Sequence, residues 1–369
     1  MHITPLSGSR AEIGEAHGRA HGERITHSLA VYDRLFQDFV GMDWARARRV
    51  AERFLPMIER GFPAILEEMD GIARGAGLDF ADILTLNCRS EISLTQANGG
   101  CSAFALARDH TQWLAQNWDW RSDQLHNVVA LEISGDDAPT LFSIGEAGMV
   151  AKIGMNEHGL GVCLNAIRSR TCGAGLPIHV ALRKILECRD LDDAMAVARH
   201  DRVCSPAHFL IAQGDGRALG LEVQPGEPGV LLPENGLVTH TNHLYAGDGA
   251  QRVADFPRAD SRSRLARLDA LLGALKDDAL PHQGPIGERE LFALLADHEG
   301  APLSLCRHFN PDQPAEERME TLFSVVMDLT QRRLTLRHGK PCESDESLTV
   351  QFGDEPGVDS GQTRQGDEQ

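Results

Sequence analysis

The sequence predicts an α+β protein in which antiparallel sheets are covered by helices. Three observations carry this. Residues from about Arg10 to Asp82 read mostly helical. Strand character takes over at Cys101 and continues as short β-type runs with turn residues between them. Helix pairs and further hairpins then follow in blocks, not in the strand–helix alternation of a parallel sheet.

The first helix carries Gly14, Gly18 and Gly22, a four-residue spacing that puts them on one face and lets a neighbouring element approach closely. A second helix is expected over Phe62 to Arg74, stopped by Gly75 and Gly77, and a short one over Phe80 to Asn87. Strands are expected at Cys101–Ala107, Gln112–Asn117, Val128–Ile133, Thr140–Ile144, Val150–Asn156 and Val162–Ala166. The segments Arg108-Asp109-His110, Ser134-Gly135-Asp136-Asp137 and Asn156-Glu157-His158-Gly159 supply turn chemistry between them. Helices return at Pro177–Glu187 and at Leu191–Arg199, the latter with Asp190 as cap. Strands follow at His208–Gln213, Ala218–Val223 and Gly236–Thr241, then helices near Ala259–Leu275 and Glu288–Asp297. A hairpin of Thr321–Asp328 with Arg333–His338 closes the ordered part. From Pro341 to Gln369 the chain has eight acidic residues against one Arg, so its end is expected to be solvated or disordered. No fixed-period repeat or sharp linker divides the chain, and one domain is expected.

A net charge of −18 argues against a nucleic-acid partner and against an anionic membrane surface. The eight cysteines are scattered and none has CxxC spacing, which suits a reduced compartment better than a disulfide scaffold. Met1 to Gly8 has no basic region leading into an apolar core, and no apolar run approaches the length of a membrane span. The cytoplasm is the expected location. Dinucleotide and phosphate loops, the GxSxG elbow and the HExxH helix are all missing from the sequence. His240 and His243 form the densest local histidine pair, but on a strand residues three apart face opposite ways. No metal site and no cofactor are expected, although acyl-coenzyme A remains possible as a substrate.

Asn98-Gly99-Gly100-Cys101 sets a thiol directly after a glycine pair, at a strand start. A cysteine in that place is most often a small core residue. The glycines add a second reading, because Gly100 has no side chain shielding its carbonyl. Attack by the neighbouring thiol on that carbonyl is favoured by proximity and gives a thioester that water can cleave. Cys101 would then begin a new chain and carry an α-amine, whose ordinary pKa of about 7.7–8.0 lets it act as base for its own thiol. Downstream, Gln116-Asn117-Trp118-Asp119-Trp120 ends the next strand. Sequential strands commonly pair, so Asp119 could lie beside the new ammonium. It could equally be a capping residue.

Gly-Cys at a strand start followed by Gln116-Asn117-Trp118-Asp119-Trp120 resembles the acyl-coenzyme A:6-aminopenicillanic acid acyltransferase family, whose members are N-terminal nucleophile hydrolases. The likeness continues, in order, through Asn87-Cys88-Arg89-Ser90-Glu91, Val238-Thr239-His240-Thr241-Asn242-His243, Leu303-Ser304-Leu305-Cys306-Arg307-His308 and Thr321 to Leu329. The resemblance implies a four-layer αββα sandwich. Cys101 would be the nucleophile for self-cleavage and turnover, Asp119 the acid near it, Asn242 an oxyanion donor worth about 3–4 kcal/mol, and Arg307 a charge-stabilising or orienting residue. Residues 1–100 would form a mostly helical pro-segment, 101–340 the catalytic chain that shares one domain with it, and 341–369 the acidic tail. Ser102-Ala103-Phe104-Ala105 departs from the fungal penicillin enzymes, and so does the chain's ending.

The expected function is therefore a self-cleaving amidohydrolase, cut between Gly100 and Cys101, that acts on a small N-acyl amine or amino acid through a thioester. The cleaved fragments would stay associated, and the protein could form a homo-oligomer. Acyl transfer from coenzyme A is the alternative. Two further readings are an uncleaved, inactive small-molecule binding protein and a Cys–His hydrolase without self-cleavage.

Overall fold

A computed structural model describes residues 1–93, 100–246, 253–276, 286–313, 318–343 and 345–353. Its helices among these are α1 (Arg10–Val40), α2 (Trp44–Ala51), α3 (Leu55–Gly61), α4 (Ala64–Ala76), α5 (Phe80–Asn87), α6 (Arg89–Ser93), α7 (Ile178–Leu186), α8 (Leu191–Ala196), α9 (Ala259–Lys276) and α10 (Glu288–Leu295). The strands are β1 (Ile3–Gly8), β2 (Ser102–Arg108), β3 (Thr111–Trp120), β4 (Val128–Gly135), β5 (Leu141–Glu146), β6 (Ile153–Asn156), β7 (Leu160–Ala166), β8 (Ala207–Gln213), β9 (Ala218–Val223), β10 (Gly229–Leu231), β11 (Leu237–His240), β12 (Glu320–Asp328), β13 (Arg333–His338) and β14 (Leu348–Gln351).

Two sheets result, ordered β1-β4-β5-β6-β7-β8-β9-β10 and β11-β2-β3-β12-β13-β14. The second packs its β2 and β3 against β7 and β8 of the first. The amino-terminal helices, with α7 and α8, lie on the outer side of the eight-stranded sheet, and α9 and α10 cover the six-stranded one. The fold is the αββα sandwich. Its larger core fills the space between the sheets and under the amino-terminal helices. A smaller one, including Phe104, Leu106, Trp113, Leu268, Leu272 and Phe292, lies beneath α9 and α10.

The glycine face of α1 meets α4. A Cβ on Gly14 would stand 2.0 Å from the Glu68 carbonyl oxygen, and one on Gly18 2.3 Å from that of Ile72. By Gly22 the helices have diverged, to 3.7 Å from the Ala76 Cα. Gly75, expected to stop α4, instead lies inside it, where its Cβ would meet the Glu15 carbonyl oxygen at 2.2 Å. Gly77 ends the helix, in the left-handed conformation at φ 68°.

Three strands escape the sequence reading. β1 pairs parallel with β4 at the edge of its sheet; Pro5 within it hides it from a strand search but is tolerated on an edge. β10 is only three residues long. β14, in the acidic carboxy-terminal stretch, pairs with β13 at the opposite edge of the other sheet. The end of that stretch, 354–369, lies outside the described residues.

Candidate active site

β2 and β3 form an antiparallel hairpin in which Ser102 pairs with Asn117. This register brings Cys101, one residue before β2, level with the Trp118-Asp119-Trp120 end of β3. Cys101 is 2% exposed. It lines a small cavity of about 30 Å³ with Arg89, Trp118, Asp119, Trp120, Lys152 and Ala166 among its other walls. Burial, and then the Asp119 charge, push the Cys101 thiol above its ordinary pKa. The Asp119 backbone, Lys152 and Arg264 pull it the other way.

Gly100 is wedged against the two residues named beside it by resemblance. A Cβ there would stand 2.7 Å from Asp119 Oδ2, 3.0 Å from Asp119 Cβ and 3.1 Å from Arg307 Nε. Lack of space calls for glycine at this position. Asp119 Oδ1 accepts a hydrogen bond from Thr321 Oγ1 at 2.7 Å, and Oδ2 lies 3.5 Å from Arg307 Nε. Asp119 Oδ2, Arg307 Nε and Arg307 Nη1 are buried and make no hydrogen bond among the described residues. Such groups are costly in a folded protein and mark a place where a partner is due. Burial raises the Asp119 carboxyl to about 6 against the pull of Arg307 and Arg264.

Arg307, in the connection between α10 and β12, is held by Thr321 of β12 and by Asp260 of α9. Its backbone N–H donates to Thr321 Oγ1 at 2.9 Å, its carbonyl accepts from the Thr321 N–H at 2.9 Å, and its Nη2 donates to Asp260 Oδ2 at 2.5 Å. Asn242 reaches Cys101 at one remove. Arg264 donates from Nη1 to the Cys101 carbonyl and to Ser102 Oγ, each at 2.9 Å, and from Nη2 to Asn242 Oδ1 at 2.9 Å. A guanidinium only donates, so this contact fixes which way the Asn242 amide points. Its Nδ2 donates to the Ala166 carbonyl at 2.9 Å, leaving one N–H.

Sequence reasoning missed two groups of charges. The first is Asp260 and Arg264, an ion pair one turn apart on α9, 3.1 Å from Oδ2 to Nε; the i, i+4 spacing was the available signal. Burial would raise Asp260, but Arg264 and Arg307 outweigh it and hold its carboxyl down at about 2. The second surrounds Glu146. Lys152 Nζ is 2.5 Å from Glu146 Oε2 and 3.5 Å from the centre of the Trp118 ring. Arg89 Nη2 donates to the same carboxylate at 3.3 Å, and the Tyr32 hydroxyl donates to its other oxygen. Burial drives Lys152 down to about 7 in spite of Glu146, whereas Arg89 and Lys152 overcome burial to keep Glu146 near 2. A lysine in the apolar run Val150-Ala151-Lys152-Ile153 was the only sign of this cluster in the sequence.

His240 and His243 are each hydrogen-bonded: His240 Nε2 lies 3.2 Å from Glu222 Oε1, and His243 Nδ1 2.8 Å from Ser261 Oγ.

The sequence profile of the family described as acyl-coenzyme A:6-aminopenicillanic acid acyl-transferase matches residues 106–343. The chain belongs to that family. Asp119, Asn242 and Arg307 fall within the matched region of this acyltransferase family, and Gly100 and Cys101 lie just ahead of it. Family membership makes the protein an enzyme of acyl-group chemistry. The chain is 29% identical over 357 residues to the acyl-coenzyme A:6-aminopenicillanic-acid-acyltransferase 40 kDa form of Emericella nidulans, covering 95% of this chain and 96% of that one. It is 23% identical to the beta-alanyl-dopamine/carcinine hydrolase of Drosophila melanogaster, over 92% of each chain. Among solved structures, a variant of the conjugated bile acid hydrolase from Clostridium perfringens shares the fold, with a TM-score of 0.50 at 13% identity over 68% of this chain and 92% of that one. Among the described residues no helix is long and apolar enough to cross a membrane.

Proposed function

We propose that the protein cuts itself between Gly100 and Cys101, and that the exposed amino-terminal cysteine then hydrolyses a small N-acyl amine or N-acyl amino acid. The observation that carries this is the lodging of Gly100 against buried, unpartnered polar atoms of Asp119 and Arg307, next to the Cys101 thiol. In the first stage the thiol loses its proton and attacks the Gly100 carbonyl carbon. Arg307 N–H groups are the proposed donors to the oxygen that becomes negative. Collapse breaks the C–N bond, leaves Gly100 as a thioester on Cys101 Sγ and frees the α-amine. Water then cleaves the thioester to a Gly100 carboxylate and a thiol. No α-amine exists before this cut, so another base is required. Lys152, which lines the same cavity and is held near 7 by burial, is the proposed one.

In turnover the neutral α-amine takes the thiol proton, Cys101 attacks the substrate amide, and the protonated amine returns its proton to the leaving amine. Water, deprotonated by the same amine, then cleaves the acyl thioester to release the carboxylic acid and restore the thiol. Asp119 Oδ2 is the proposed partner of the ammonium, and the remaining Nδ2–H of Asn242 is the proposed oxyanion donor. Trp118, Trp120, Leu164, Ile167 and Ile178 offer the acyl portion an apolar seat. Residues 1–100 stay bound after the cut on this reading, because β1 is a strand of the eight-stranded sheet. Transfer from an acyl-coenzyme A donor to an amine is the second reading, in line with the name of the Emericella nidulans relative. The cytoplasm is the proposed compartment, in keeping with eight free thiols.

Intact mass spectrometry tests the first stage. Two fragments meeting at Gly100/Cys101 are expected, their masses summing to that of the chain plus one water, and Cys101→Ala should give only full-length chain. A single full-length species that turns over amides would sink the self-cleavage proposal. N-acyl amines, β-alanyl amines and acyl-coenzyme A thioesters, each offered to the cleaved protein, then separate hydrolysis from transfer.

A further inference from the structure

Apart from the catalytic machinery, two cysteines and two histidines converge at the surface between the α10–β12 connection and the turn after β13. They are His298, Cys306, His308 and Cys342, whose donor atoms all lie within 4.8 Å of one another. The measured separations are 3.1 Å between His298 Nε2 and His308 Nε2, 3.4 Å between the two Sγ atoms, 3.2 Å from His308 Nε2 to Cys342 Sγ, and 3.9 Å from it to Cys306 Sγ. A tetrahedral zinc ion with Zn–S of about 2.3 Å and Zn–N of about 2.0 Å spaces its ligands roughly 3.3–3.8 Å apart. Those four separations are near such edges, and the two from His298 to the sulfur atoms are within 4.8 Å.

Hydrogen bonding alone does not account for the cluster. His308 Nε2 has either one hydrogen or one lone pair, yet three heteroatoms crowd it. A central cation satisfies all four donors at once. Glu343 Oε1 lies 3.7 Å from His308 Nδ1, too far for a hydrogen bond but on the side where metal-bound imidazoles commonly carry a carboxylate partner. The donor set, two thiolates and two imidazoles, is one that selects zinc.

We propose that His298, Cys306, His308 and Cys342 bind one zinc ion. With four protein ligands the centre is closed and therefore structural. It ties the loop that follows α10 to the turn beyond β13. Its effect reaches the active site because Cys306 and His308 flank Arg307, whose side chain runs inward to Asp119 and Asp260. The metal thus fixes the backbone on both sides of a positioning residue. This departs from the metal-free expectation, which rested on the lack of CxxC spacing. Here the ligands form one C-x-H pair and two remote residues, a pattern with no local signal.

The test is metal analysis of the full chain purified from zinc-supplemented medium, which needs neither self-cleavage nor turnover. About one zinc per chain is expected, falling to background in Cys306→Ser/Cys342→Ser. Cobalt(II) reconstitution of the chelator-stripped wild type should give the intense visible bands of a tetrahedral site with thiolate charge transfer. That second measurement stands if the double variant fails to fold. Zinc at background after equilibration with excess metal would overturn the proposal. So would an octahedral cobalt spectrum without thiolate charge transfer, or a Cys306–Cys342 disulfide, seen as a mass lower by two hydrogens. Zinc retained in full by a folded double variant would also overturn it.

Discussion

Replacing Gly100 by alanine perturbs the proposed self-cleavage site with a single methyl group. That methyl would stand 2.7 Å from Asp119 Oδ2 and 3.1 Å from Arg307 Nε, whereas nonbonded carbon contacts settle at about 3.5–4.0 Å. Asp119 and Arg307 must therefore withdraw by several tenths of an ångström. Neither is free to do so: Thr321 holds Asp119 and Asp260 holds Arg307. Overfilling a well-packed site costs about 1–3 kcal/mol, and each 1.4 kcal/mol added to a barrier is about tenfold in rate. Self-cleavage of Gly100→Ala should accordingly slow by roughly 10- to 100-fold. The assay follows the full-length band and the two fragments by gel and intact mass after a short pulse of expression. Once cut, the variant should match the wild type per cleaved chain, because residue 100 ends the fragment that has left the nucleophile. Cleavage at the wild-type rate would refute the argument that Gly100 is there for space.

Asp119 carries its proton up to about pH 6, so a reaction that needs its charge should lose rate as pH falls through 6. Asp119→Asn should abolish that acid limb and lower the plateau by about 100-fold, measured as cleavage rate against pH. Lys152→Met should slow cleavage by about 100-fold and slow turnover of the cleaved enzyme much less, since the mature form has its own amine; equal losses in both would exclude Lys152 as the base for the first step. Gly14→Ala should destabilise by about 1–3 kcal/mol because its methyl meets the Glu68 carbonyl at 2.0 Å. Gly22→Ala, with 3.7 Å to spare, should be neutral or stabilising by up to about 1 kcal/mol, both read from denaturant midpoints.

What the sequence made legible follows from short-range physics. Cys101 and Asp119 were placed together because sequential strands commonly pair and the turn residues Arg108-Asp109-His110 between them are legible. The α1 glycine face was readable because helical periodicity is local. Arg264 and Asn242 were a different matter: the guanidinium of one helix joins a cysteine carbonyl to an amide beyond β11, and no periodicity encodes that meeting. The Glu146 cluster draws Tyr32, Arg89 and Lys152 from three separate elements. Its charges pair only after the layers stack, so each looks in the sequence like an ordinary polar residue. Asn242 was found by resemblance, but the way its amide is engaged by Arg264 and Ala166 required the folded chain.

The cavity beside Cys101 has a consequence of its own. Its 30 Å³ or so is space for the centres of water-sized molecules, enough for about two waters at roughly 10–15 Å³ each, and Arg89 of α6 is one of its walls. On the proposed self-cleavage, such a chamber has room for the water that completes the release, whereas seating an acyl amine requires its walls to move apart. If the cut also frees the Arg89 wall, chemical activation and admission of substrate become one event, which each molecule undergoes once. On the same proposal, newly made protein would be silent toward its substrate, and the specific activity of a preparation would rise with its age.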